Sequence, residues 1–163
     1  MLCKIHSYLK ILYKLSGYTA AFFLILVASF ILTGIASRIF GFYIRGLAEY
    51  SGYSMAASSF LALAYTFGEK GHIRITLFLE KSKTNMRNFL ELWCLFIATF
   101  FSGFLSYYFI KMLIVSIEFG ERSEGADEIL IWIPQLPVAI GSTIFFICVT
   151  HNFILSILKK NDL

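Results

Sequence analysis

Between Glu49 and Glu69 the chain runs for about twenty residues without a charge. A helix rises about 1.5 Å per residue, so this run is long enough to cross the hydrocarbon of a bilayer with every backbone group paired inside the segment. Glu49 is thereby placed at one membrane face, and Glu69, Lys70, His72 and Arg74 at the other. Three further apolar runs accompany it. With 58% hydrophobic and 18% aromatic residues among 163, only two prolines and a mean hydropathy of +0.76, ordinary soluble and disordered classes are excluded. The pattern predicts an all-α integral membrane protein. We read a single domain over 1–163 with four transmembrane helices near 15–37, 47–67, 89–111 and 137–158, joined by short interfacial amphipathic segments.

The N-terminal residues alternate Lys4, Lys10 and Lys14 with Ile5, Leu9, Leu12 and Leu15, which suits an amphipathic start lying in the interface before the chain turns inward. The apolar run that follows to Ile35 exceeds the h-region of a signal peptide, so it reads as a retained first span. A basic, aromatic connection (RIFGFYIR, 38–45) leads to the second helix, whose small residues mark packing faces: Gly52 with Ala56, and Ser54 with Ser58. The segment 69–87 is charged, and its Ile73, Leu77 and Phe78 predict a surface-lying piece. The third helix is rich in phenylalanine, and its apolar character continues past Lys111 to Ile117. The fourth is predicted to become regular near Pro137, because proline belongs in a helix's first turn.

Lysine and arginine counts predict orientation. Ten lie in the N-terminus, the 69–87 connection and the C-terminus, against three (Arg38, Arg45, Arg122) on the other side. Both termini are therefore expected in the cytoplasm and the stretch Glu118–Glu128, the only acidic one, outside. The net charge of +4 belongs to this asymmetry and not to a nucleic-acid footprint.

Little in the chain suggests chemistry. Ionisable residues fall near predicted helix ends, where water and headgroups solvate them, and none stands at mid-depth as a transport or proton-relay site requires. Glu49 is the sharpest of them: paired with Arg38 or Arg45 it would lock the first two helices, and turned outward it would meet a partner subunit. The five acids of the outer stretch, Glu118, Glu121, Glu124, Asp127 and Glu128, form either a solvated loop or a docking surface. His6, His72 and His151 do not face one another across the predicted spans, which argues against a bound haem. Cys3, Cys94 and Cys148 lack disulfide or metal spacing. No nucleophile elbow or phosphate loop occurs, so no enzyme and no cofactor is expected.

The Glu49 opening of the second span, the run TFGEKGHIRITLFLE (66–80) with its His72-Ile73 pair, and the fourth-span pattern Ile133, Pro134, Pro137 and Gly141 together resemble the small membrane subunit of tripartite ATP-independent periplasmic (TRAP) transporters, the DctQ-like family. The local run RGLAEYSGY departs from that pattern, lacking the tryptophan and second acidic residue often found beside the position of Glu49. The resemblance implies a bacterial inner-membrane, multi-pass protein. It implies as partners a large elevator-type membrane subunit, a periplasmic substrate-binding protein and membrane lipids, and as activity sodium-coupled uptake of an organic anion such as a carboxylate. Glu49, Arg38, Arg45, His72 and the five outer acids are then the candidates for subunit contact or docking. The rival class is a membrane anchor, a haem or quinone subunit of a redox complex.

Overall fold

The computed structural model describes residues 2–42, 44–68, 84–125 and 128–161, with side chains for 8–42, 44–68, 89–125 and 128–157. These residues form four helices: α1 (Leu2–Ile39), α2 (Leu47–Gly68), α3 (Thr84–Glu118) and α4 (Trp132–Asn161). Three contain stretches long and apolar enough to cross a membrane, Tyr8–Ile39, Phe89–Glu118 and Trp132–Ile157. Helix α2 is not one of these, because serines, tyrosines and Glu49 dilute its alanines and leucines. The surface piece expected around Ile73, Leu77 and Phe78 lies outside the described residues.

Two boundaries differ from expectation. The amphipathic start does not bend away from the first span: α1 is one helix of 38 residues, roughly 57 Å long, with no proline to remove a backbone bond. Helix α4 begins at Trp132, ahead of Pro137. Pro134 occupies its first turn, where an N–H has no intrahelical acceptor to find, so only Pro137 costs the helix a bond. That first turn is seeded by Ile133 N–H to the Leu130 carbonyl (3.2 Å) and Gln135 N–H to that of Ile131 (3.3 Å).

Helices α1 and α3 stop by the same device. Gly41 (φ 77°) and Gly120 (φ 60°) adopt the left-handed conformation. This lets Phe42 N–H reach the Ser37 carbonyl (3.0 Å) and Glu121 N–H that of Ser116 (3.2 Å), satisfying carbonyls that would otherwise end bare. Both chain reversals lie at the same end of the bundle, the loop end.

Packing places α2 centrally. It lies against α1 on one side and α4 on the other, while α3 packs on α4. Its buried residues, Ser54, Ala57, Ser58, Leu61 and Ala64, fall at spacings of three and four. Against α1 the contact is reciprocal. Ser58 Oγ donates to the Ala20 carbonyl (3.0 Å) and Ser16 Oγ to the Leu61 carbonyl (2.6 Å). The Tyr65 ring covers Gly17 and the Tyr13 ring covers Gly68. Against α4 the backbones themselves approach: a Cβ on Gly141 would stand 2.8 Å from the Phe60 carbonyl carbon and 2.9 Å from the Leu61 nitrogen. Cys148 Sγ donates to the Ala64 carbonyl (3.5 Å) one turn further along α2. Helix α3 joins through Ser106 and Thr143 (3.1 Å) and through the Phe146 ring seated on Gly103. The Ser54 and Ser58 face is thus a packing face, as expected. Gly52 is not on it: its Cβ position meets nothing within 4 Å.

This contrast yields a test. Gly141→Ala forces two backbones apart and is expected to cost about 1–3 kcal/mol, a fall of several degrees in melting temperature in detergent. Gly52→Ala, helical and unobstructed, is expected to be neutral or to gain up to about 1 kcal/mol. Thermal unfolding of the two variants side by side checks both.

Candidate functional site

At the loop end, α2 starts from Gly46, whose φ of 78° turns the chain out of the α1–α2 connection and whose carbonyl accepts the first helical bond from Tyr50 N–H (2.9 Å). Glu49 lies in that first turn, where a carboxylate is favoured by the partial positive charge of the helix terminus. Its side chain is half-buried and directed to the α3–α4 loop. The carboxylate lies so close to Gly125 that any Cβ there would fall on it. One turn along the same face, the Tyr53 hydroxyl shares a 2.9 Å hydrogen bond with Ser123 Oγ. Glu49 and Tyr53 together clasp the loop to α2.

The loop has its own order. Arg122 and Leu130 form an antiparallel bridge, Ser123 N–H donates to the Ile129 carbonyl (2.7 Å), and Ile131 N–H donates to that of Glu121 (3.0 Å). Gly125 N–H donates to Ser123 Oγ (3.2 Å), so the residue that meets Tyr53 also holds the glycine that meets Glu49. At the loop's root the buried Ser116 hydroxyl donates to Glu121 Oε2 (2.9 Å). Arg122 and Glu128 stand 4.0 Å apart and are both well exposed, an ion pair worth little against water. Glu128 adopts φ 45°, an unusual conformation for a side-chain-bearing residue.

The expected site residues divide accordingly. Glu118, Glu121, Glu124 and Glu128 are exposed at the loop end; Asp127 and His72 lie outside the described residues. Arg38 and Arg45 are exposed on the α1–α2 connection and its approach. Arg38 and Glu49 line one cavity of about 340 Å³ between the C-terminal part of α1 and the first turn of α2. The structure therefore brings Glu49 to the acidic loop as well as to the arginine side. Tyr53, Ser123 and Gly125 were not singled out in the sequence. Tyr53 carried a signal, standing four residues after Glu49 on one helical face; the two loop residues carried none. The clasp fixes a loop and turns carboxylates outward, an arrangement suited to contact. Among the described residues no three His, Cys, Asp or Glu side chains are grouped to hold a metal ion.

Comparison with known proteins agrees with the architecture. The family model for the DctQ component of tripartite ATP-independent periplasmic transporters matches residues 26–159. A search of curated proteins finds no match.

Gly125→Ala is expected to expel the Glu49 carboxylate and release the loop. Losing about 1–2 kcal/mol of local stability would speed tryptic cleavage after Arg122 by roughly tenfold. Tyr53→Phe removes one hydrogen bond and is expected to give a smaller rise. Timed proteolysis in detergent, with intact mass as the readout, measures both.

Proposed function

The chain belongs to the DctQ family, the small membrane component of tripartite ATP-independent periplasmic transporters, and from that premise we propose that it braces the large transport subunit and helps receive the substrate-binding protein. On this reading both termini are cytoplasmic, the loop end faces the periplasm, and the complex imports an organic anion such as a carboxylate with sodium. The chain contributes surfaces to that process and leaves the solute and ion sites to its partner.

One observation carries the bracing role. The open face of α2 interleaves the small or polar Gly52, Ser59 and Thr66 with Met55 and Leu63 at helical spacing, where the exposed stretches of α1 and α3 present mainly isoleucine, leucine and phenylalanine. Ser59 Oγ satisfies itself on the Met55 carbonyl (2.8 Å), so close approach at Ser59 costs no unpaired hydroxyl. Inside a bilayer, small residues favour a second helix over lipid tails, because backbone approach increases dispersion contact. The clasped acidic loop supports the receiving role: held by Glu49 and Tyr53, it offers Glu118, Glu121, Glu124 and Glu128 to a docking protein, while Arg38 and Arg45 stand on the neighbouring connection.

Co-purification in mild detergent tests the first part. The double variant Gly52→Leu, Ser59→Leu is expected to lower recovery of the large subunit by about tenfold, the equivalent of a modest interface defect. Unchanged recovery would refute this face as the brace. For the second part, Glu49→Gln, or reversal of Arg38 and Arg45 to glutamate, is expected to reduce uptake in reconstituted vesicles while the isolated capture protein binds its solute as before. An equal loss in both assays would contradict the assignment.

A further inference from the structure

The cavity between α1 and α2 extends beyond the polar groups invoked for docking. Along α1 its wall is Phe30, Ile31, Gly34 and Ile35, an apolar strip on one helical face, and Ile44 and Leu47 complete it from the far side. Ile31, Ile35 and Ile44 remain exposed, so the space opens sideways and is not sealed within the bundle. Its other end is charged: Arg38 and Glu49 both line it. The exposed Phe40 and Phe42 rings, stacked with centroids 6.4 Å apart, stand next to that end in the chain.

We propose that this cavity is a phospholipid site specific for a phosphoethanolamine headgroup. One acyl chain lies on the Phe30 to Ile35 strip, the phosphate accepts from the Arg38 guanidinium, and the ammonium lies toward Glu49. The apolar wall requires a chain, because water in such a space would find few partners. The guanidinium requires a phosphate or carboxylate at that height, its planar fork matching two oxygens at once. Glu49 selects between headgroups: a glycerol headgroup brings only negative charge to it, whereas ethanolamine brings a compensating cation. A carboxylate accepts up to four hydrogen bonds, so its contact with the Gly125 loop and an ammonium are compatible. At about 340 Å³ the space accommodates the headgroup and the upper part of one chain, the lower end of the range for small-ligand pockets.

Native mass spectrometry of the full chain, purified in mild detergent and offered phosphatidylethanolamine, phosphatidylglycerol and diacylglycerol of matched chains, tests the site. We expect the ethanolamine lipid to be retained over the other two, and free phosphoethanolamine at equal concentration not to displace it. Arg38→Gln is expected to lower its retention about tenfold, as loss of a charge-assisted contact predicts. Gly34→Leu is expected to do the same by filling the strip: its Cβ position meets only Leu47 Cδ1, at 3.9 Å, leucine favours helix, and an unchanged melting temperature in detergent verifies that the variant is folded. Equal retention by wild type and both variants would overturn the site. Equal retention of phosphatidylglycerol or diacylglycerol would overturn the headgroup assignment, and displacement by free phosphoethanolamine would overturn the role of the chain.

Discussion

The architecture depends on how closely α4 approaches α2. At Gly141 the backbone of α4 comes within contact of the backbone at Phe60 and Leu61, a separation that no residue with a Cβ allows without adjustment. In lipid, where apolar surface alone does not draw helices together, such proximity multiplies the dispersion and polar contacts that do. The Cys148 bond to the Ala64 carbonyl and the perpendicular Phe67 and Phe145 rings, 5.8 Å apart, follow from that approach. With α4 fixed on one side and the reciprocal serine and tyrosine contacts of α1 on the other, α2 is held along its length.

The loop end inherits this rigidity. Because α2 is immobilised, Glu49 and Tyr53 present fixed anchors to the α3–α4 loop, and the glycine caps at Gly41 and Gly120 bring both reversals close to them. A loop bridged at Arg122 and Leu130 and clasped from below presents its carboxylates in a defined arrangement. That is what a receiving surface for another protein needs, since ordering prepaid in the free state is not charged to binding.

Much of this was legible in the sequence, and the exceptions have physical reasons. Uncharged runs and terminal charges give helix number and approximate limits because the cost of burying charge is local and one-dimensional. Family resemblance rested on Glu49, His72-Ile73 and the Pro134 to Gly141 pattern, and the structure supplies a reason for the last: Gly141 is where two backbones meet. Which small residues pack was only half legible. Ser54 and Gly52 lie on the same helix with equal claims by composition, and only the positions of α1 and α4 decide between them. The start of α4 lies ahead of the position that proline placement predicts, because Pro137 is tolerated inside a helix that Pro134 has already opened. Gly125 and Ser123 were invisible, since a contact across some seventy residues leaves no periodic trace in one sequence.

The composition of α2 bears on how the protein is made. Its hydroxyl-rich sequence gains less from entering hydrocarbon than the sequences on either side of it, and a lone segment of this kind would partition poorly from the insertion machinery into lipid. Ser58 and Ser16, each shared across the boundary between the first two helices, give that segment somewhere to place its polarity as soon as its predecessor is present. The contacts that hold α1 to α2 thus also shelter the hydroxyl groups that α2 carries in place of apolar side chains.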